Sequence, residues 1–217
     1  MEVSAILLAA GLSKRMGQSK PLLPLGDRPV IVHCLECIRS ACIADVVVVT
    51  RPDDKAVQRA IREFPVKLVM NRIPGSDMAE SVKTGLSRVS PAMTGIFVFP
   101  CDHPLVTPAT LGCMIRAFSG RPGAIIVPRY MGRNGHPTLF PRALLEEIGT
   151  NPTLRDIIGK HPDKVYRLDV DDSGIVLDMD TPEDYREVLS RFQNGLNCGS
   201  LPPGKDRPNN DRTGGRS

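Results

Sequence analysis

DVVVVT, residues 45–50, is a continuous β-branched run with no polar alternation, the pattern of a strand buried on both faces and hence of a parallel sheet. Upstream, Val30, Ile31, Cys34, Ile38 and Ala41 recur near a 3.6-residue period behind Pro29, which predicts an amphipathic helix over 29–42. Before that helix, SAILLAA (4–10) reads as a strand that stops at Gly11, followed by a long polar, basic loop, LSKRMGQSK, over 12–20. Downstream the alternation continues: helix 53–63, strand 66–70, helix 76–89, strand 95–100, helix 107–118, strand 123–128. Strands separated by helical segments of this length imply βαβ crossovers. The expected fold is α/β: a doubly wound, mostly parallel sheet with helices on both faces. Beyond it the pattern gives an extended HPTLF (136–140), helices near 141–148 and 153–160, strands near 165–169 and 174–177, and a last helix from Thr181-Pro182.

The 217 residues suit one domain. We read 1–193 as that domain and 194–217, rich in Gly, Pro, Asn and charge, as a disordered tail. Net charge is +4 and spread along the chain, with no Trp and few Tyr and Phe, so neither a basic footprint nor a stacking platform for nucleic acid stands out. Without a membrane-length apolar run or a secretory leader pattern, the expectation is a soluble cytoplasmic protein. Six Cys are too few for a disulfide scaffold. Cys34-x-x-Cys37 with Cys42 raises a zinc reading, but no second ligand pair completes four, and core packing is the better account. His33 and His161 read as surface residues.

The chemistry concentrates in AILLAAGLSKRMGQSKPLLPL, residues 5–25. The small residues Ala9, Ala10 and Gly11 allow a ligand to approach the backbone, and the loop behind them can present N–H groups to phosphate oxygens. Arg15 and Lys20 on that loop could neutralise a triphosphate and the charge growing on a pyrophosphate leaving group. Neither the P-loop nor the dinucleotide glycine fingerprint is present, which argues against kinases and dehydrogenases. Asp102, in FPCDHPLVTP (99–108), falls just beyond a buried strand, at the carboxyl edge where open α/β sheets bind ligands.

LAAGLSKRMGQSKPLLP (8–24) resembles the signature L-A-[AG]-G-x-S-x-R-M-G-x-x-K-x-L-L-P of nucleotidyltransferases, with Pro21 at the free position after Lys20. Within that superfamily the chain is similar to the MobA-like group, and its LAAG form to the cytidylyl-transferring branch of molybdenum cofactor biosynthesis. The resemblance runs over about 4–190 and implies a nucleotide-diphospho-sugar-transferase-like fold. It assigns Asp102 to Mg²⁺, with Cys101 where Gly is usual, a change that could crowd the site or make it redox-sensitive. LDMDTPEDY (177–185) resembles the closing motif that makes Asp180 the second carboxylate, and Mg²⁺ accepts such a pair plus substrate phosphates.

SDMAESVKTGL (76–86) resembles the stretch near the nucleotide base, with Ser81 as a base contact and Asp77 where Gly is typical. Asn71 is a candidate for the same pocket and reads equally as a turn residue. NGHPTLF (134–140) resembles the segment near the second substrate, which makes His136 a candidate contact, and NPTLRDII (151–158) retains Arg155 as an anion contact. The implied reaction is CMP transfer from CTP to the terminal phosphate of molybdopterin or the molybdenum cofactor, with transient contact to a molybdenum hydroxylase or its chaperone. Left open are another acceptor (a sugar 1-phosphate, or a pterin taking GMP), oxidoreduction of a small heteroaromatic substrate, and a non-catalytic module that delivers the cofactor.

Overall fold

The structure, a computed structural model, describes residues 2–11, 16–73, 75, 77–151 and 153–198. Val3–Leu8 forms β1, and the Asp45–Thr50 run forms β4; their neighbours in the sheet are β5 (Lys67–Met70), β6 (Gly95–Pro100), β7 (Ile125–Tyr130), β9 (Thr138–Pro141) and β10 (Val165–Asp169). Among the described residues the order is β10-β7-β9-β6-β1-β4-β5, and the short β8 (Arg133–Asn134) pairs with β7. β1 lies parallel to both β4 and β6, with Leu7 opposite Val48 and Phe99. Only β9 runs against its neighbours on the main path: it pairs antiparallel with β6 and with β7. The sheet is therefore mixed and mostly parallel, as the patterning implies.

β-branched and aromatic side chains alternate to two faces, and each face is covered. Ala5, Leu7, Val48, Phe97 and Phe99 pack with α1 (Val30–Ser40), α4 (Pro108–Gly120) and the buried Val188 of α7 (Pro182–Cys198). Ile6, Val47, Val49, Ile96 and Val98 pack with α3 (Met78–Leu86), α5 (Arg142–Leu145) and α6 (Leu154–Lys160). Gly85 lets α3 lie close on the sheet, since a Cβ there would stand 2.5 Å from Ile6 Cγ2. α2 (Lys55–Ala60) is capped by the Asp54 carboxylate and α3 by that of Asp77, each accepting the N–H three residues on. A hairpin of β2 (Pro24–Leu25) and β3 (Arg28–Pro29) turns at Gly26, which has a positive φ of 64°. α7 clamps that hairpin: a Cβ on Gly26 would meet Phe192, and the Tyr185 hydroxyl donates to the Pro24 carbonyl.

Several elements differ from the expectation. The strand placed at 123–128 begins two residues later, because Arg121–Ala124 closes a turn through Ala124 N–H to Arg121 O. The strand expected near 174–177 is a 3₁₀ turn, Ser173–Val176. Asp172 caps it through Gly174 N–H, and Gly174 approaches Leu105 so closely that a Cβ would lie 2.3 Å from the Leu105 carbonyl oxygen. The last helix runs to Cys198, five residues past the boundary placed at 193, and 199–217 lie outside the described residues. No helix among the described residues is long and apolar enough to cross a membrane.

Candidate active site

All the parallel strands end at one edge of the sheet. Because β9 runs in the opposite sense, its beginning lies at that same edge, so His136 joins Ala9, Asn71 and Asp102 there although it precedes a strand. The ladder continues a residue past the strand ends, with Ala9 N–H on Val49 O (2.8 Å) and Cys101 N–H on Leu8 O (3.1 Å), which fixes where Ala10 and Asp102 begin.

Lys20 opens a 3₁₀ turn, Lys20–Leu22, and its ammonium reaches Asp180 Oδ1 at 2.6 Å and Asp102 Oδ2 at 3.3 Å. Residues 160 and 82 positions away thus meet on one cation. Burial alone would lower the Lys20 pKa, but the hydrogen bond to Asp180 and the charges of Asp102 and Asp180 outweigh it and raise it. The lysine is a fixed positive charge. Asp178 is raised instead, by burial and then by the neighbouring Asp180 and Asp102 carboxylates, with His103 opposing.

The other oxygen of Asp102, Oδ1, is buried and accepts no hydrogen bond among the described residues; His103 Nε2 lies 3.8 Å from it. A buried carboxylate oxygen without a donor is costly unless something else coordinates it. Such an oxygen on Asp102, with the Asp180 carboxylate on the same lysine, suits a hard divalent cation that completes its shell with water and substrate phosphates. Among the described residues no group of three or more His, Cys, Asp or Glu could form a closed metal site.

A cavity of about 180 Å³ is lined by Ala9, Ala10, Gly11, Lys20, Ser81 and Asp102, together with Asp77 and Met78. Ser81 is held from behind, where its Oγ accepts from Asn71 Nδ2 (3.0 Å). Asn71 is 4% exposed and does not line the cavity; it supports Ser81 and caps the turn through Ile73 N–H. Arg15 lies outside the described residues.

A larger cavity of about 590 Å³ adjoins the first, sharing Asp77 and Met78. His136 and Arg155, predicted from separate segments, both line it, with Asn134 and Arg167 adding polar groups to a floor that includes Val127 and Phe140. The His136 backbone is set by its N–H on Ile175 O (2.8 Å) and by Gly135, where a Cβ would lie 2.4 Å from the same oxygen.

His103 escaped the sequence reading. It is 6% exposed, beside Asp102, with its ring 5.0 Å from that of His136, so two imidazoles link the carboxylate to the larger cavity. The signal was a His directly after Asp102 in FPCDHPLVTP. Burial, and then the His103 ring, lower the His136 pKa from 6.5 to about 4, against the pull of Asp102. His136 is neutral at pH 7. Its folded pKa lies below the unfolded one, so stability is unaffected above about pH 6.5 and declines as pH falls from there toward 4. The expected loss from this residue is about 3 kcal/mol. Urea unfolding of the wild type and His136→Gln at pH 7.5, 5.5 and 4.5 checks this: the gap between them must shift toward the variant as pH drops, and a constant gap refutes the assignment.

Among the described residues the cysteines belong to no cluster that could hold a metal ion. Cys34 and Cys37 are buried, with Cys34 Sγ on Cys101 O (3.5 Å) and Cys37 Sγ on Val106 O (3.1 Å). A hydrogen bond with the Cys101 side chain and burial push the Cys34 thiol well up, and burial does the same to Cys37, so both stay protonated. Cys42 differs from the packing expectation: it is exposed, in the left-handed region at φ 59°. Neither His33 nor His161 is a free surface residue. His33 bonds to Leu25 O and stacks edge-on against Phe192, and His161 pairs with Glu147 at 2.8 Å.

The chain is similar to several known proteins. A molybdenum cofactor cytidylyltransferase of Escherichia coli (strain K12) is 24% identical over 195 residues, covering 88% of this chain and 97% of that protein. A nicotine blue oxidoreductase of Paenarthrobacter nicotinovorans is 27% identical over 199 residues, covering 86% and 96%. The solved structure of Rv0371c from Mycobacterium tuberculosis H37Rv superposes with a TM-score of 0.77 at 31% identity, covering 88% of this chain and 98% of that one. The family model for the MobA-like NTP transferase domain matches residues 5–165, and the chain belongs to that family.

Proposed function

We propose that the protein transfers CMP from CTP to the terminal phosphate of molybdopterin or its molybdenum form, releasing pyrophosphate. The observation that carries the reading is the convergence of Lys20, Asp102 and Asp180 at a cavity floored by Ala9, Ala10 and Gly11, against a second, larger cavity lined by His136 and Arg155. The first cavity takes the nucleotide and the second the acceptor.

An acceptor phosphate is already an anion at neutral pH, so its oxygen attacks the α-phosphorus without a general base. A phosphorus–oxygen bond forms to the acceptor as the bond to the β-phosphate breaks, and pyrophosphate departs with the bonding pair. The protein's part is positioning and charge. Ala9–Gly11 offer backbone where side chains would obstruct the phosphates, Lys20 supplies a permanent cation, and neutral His136 can donate to the acceptor. Asp102 and Asp180 would hold Mg²⁺, which supplies Lewis-acid stabilisation of the phosphate charge. A molybdenum hydroxylase or its chaperone is the fitting recipient of the product.

The test is pyrophosphate release by the purified protein with Mg²⁺ and each of CTP, GTP, UTP and ATP, with and without molybdopterin. The expected outcome is release with CTP that depends on the pterin. Silence with all four, given an intact acceptor, overturns the reading, and a preference for GTP transfers it to a guanylyl reaction.

A further inference from the structure

The carboxylate of Asp77 has a second task beyond its place in the helix. It caps α3 with one oxygen, Oδ1, which accepts Glu80 N–H at 3.0 Å. Among the described residues it has no ion-pair partner, and it lines both cavities. Capping alone does not require a charge, since Ser and Asn serve as well as Asp at this position.

Lys20, paired with Asp180 just ahead of α7, and Asp102 line one part of the smaller cavity; Ser81 of α3 and Asp77, the cap of that helix, line another. Besides Lys20 and Asp102, which suit the phosphates, the polar side chains lining this cavity are those of Ser81 and Asp77, and these are the ones left to meet the base. The wall they form presents Ser81 Oγ, occupied by Asn71 Nδ2 and donating to Asp77 O, and the carboxylate of Asp77. It is a wall of acceptors.

We propose that Asp77 selects the nucleobase, accepting a hydrogen bond from the 4-amino group of cytosine and repelling the 4-oxo group of uracil. The carboxylate has only lone pairs to offer, so it pairs with an amine and cannot pair with a carbonyl. This is the complementarity by which acidic side chains read cytosine through its amine. The inference rests on the nucleotidyl-transfer reading and adds the group that distinguishes the two pyrimidines. Its position, between the cavities and shared by both, also makes the selected base part of the acceptor's wall.

The test compares CTP and UTP in the wild type, Asp77→Asn and Asp77→Ser. Both variants keep a capping side chain on α3, and their melting temperatures verify it. Two readouts are needed: kcat/KM for pyrophosphate release, and equilibrium dialysis of labelled CTP and UTP with Mg²⁺, which requires no acceptor and no turnover. The wild type is expected to favour CTP over UTP by about 10- to 100-fold in both. In Asp77→Asn, whose amide can donate to a carbonyl, the ratio collapses to within about 3-fold, with UTP gaining. In Asp77→Ser, CTP weakens and UTP does not gain. An unchanged ratio in both variants, or a wild type that does not distinguish the two nucleotides, overturns the proposal. Discrimination in dialysis without pyrophosphate release from any nucleotide defeats the transferase reading and leaves the base selection standing.

Discussion

Asp102→Ala is expected to lower pyrophosphate release by about 10³–10⁴-fold, the loss of several kcal/mol of charge stabilisation at the transferring phosphate, while the fold survives intact. The reason for both halves lies in how Asp102 is held. It follows a fully buried strand at the sheet edge, so its main chain is fixed by the β6 ladder and by Cys101 N–H on Leu8 O rather than by its side chain. Among the described residues its side chain accepts one hydrogen bond, from Lys20 at 3.3 Å, lies 3.8 Å from His103 Nε2, and keeps a buried oxygen with no hydrogen bond. Removing a group that is poorly satisfied relieves as much as it loses, so the melting temperature should be unchanged or higher. Rate and melting temperature measured on one preparation decide the matter. Near-normal release sinks the role given to Asp102, and loss of rate accompanied by unfolding shows instead that the carboxylate is structural.

Asp172→Ala should do the reverse, costing about 3–5 kcal/mol of stability. This carboxylate is 7% exposed and accepts four hydrogen bonds: Thr107 N–H and Oγ1 at 2.9 Å each and Thr110 Oγ1 at 2.6 Å on one oxygen, Gly174 N–H at 2.9 Å on the other. Alanine leaves all four donors behind in a space from which water is largely excluded. The same residue ties the start of α4 to the 3₁₀ turn whose Ile175 carbonyl holds His136 N–H. A weaker grip on His136 should therefore accompany the stability loss, as a raised KM for the acceptor with KM for the nucleotide little changed. Urea unfolding checks the first expectation and steady-state kinetics the second; a cost below about 1 kcal/mol contradicts the first.

The fold was legible because it depends on local pattern. A β-branched run such as 45–50 has few alternatives to a buried strand, and 3.6-residue periodicity at 30–41 is independent of what the helix packs against. The small residues Ala9, Ala10 and Gly11 are legible in the same local way, and the structure places all three on the wall of the smaller cavity. Misreadings occurred where a short apolar or polar stretch has several local solutions. SGIV at 173–176 could be a strand until Asp172 and the approach of Gly174 to Leu105 make it a turn. For Asn71, which reads equally as a pocket candidate and as a turn residue, packing adds what the sequence does not carry, a place behind Ser81. His103 was passed over because one imidazole in a sequence carries no indication that a second, 33 positions on, will lie 5.0 Å away.

By itself the sequence determined the α/β class and the mostly parallel sheet, because hydrophobic period and backbone permissiveness are properties of neighbouring residues. Only the tertiary structure decided that Lys20 bridges Asp102 and Asp180, that the reversed strand β9 brings His136 to the edge where the parallel strands end, and that Asp77 stands between the two cavities. Such contacts join residues up to 160 positions apart, and their geometry is set by strand order and by the glycines that let loops approach, neither of which a local pattern encodes.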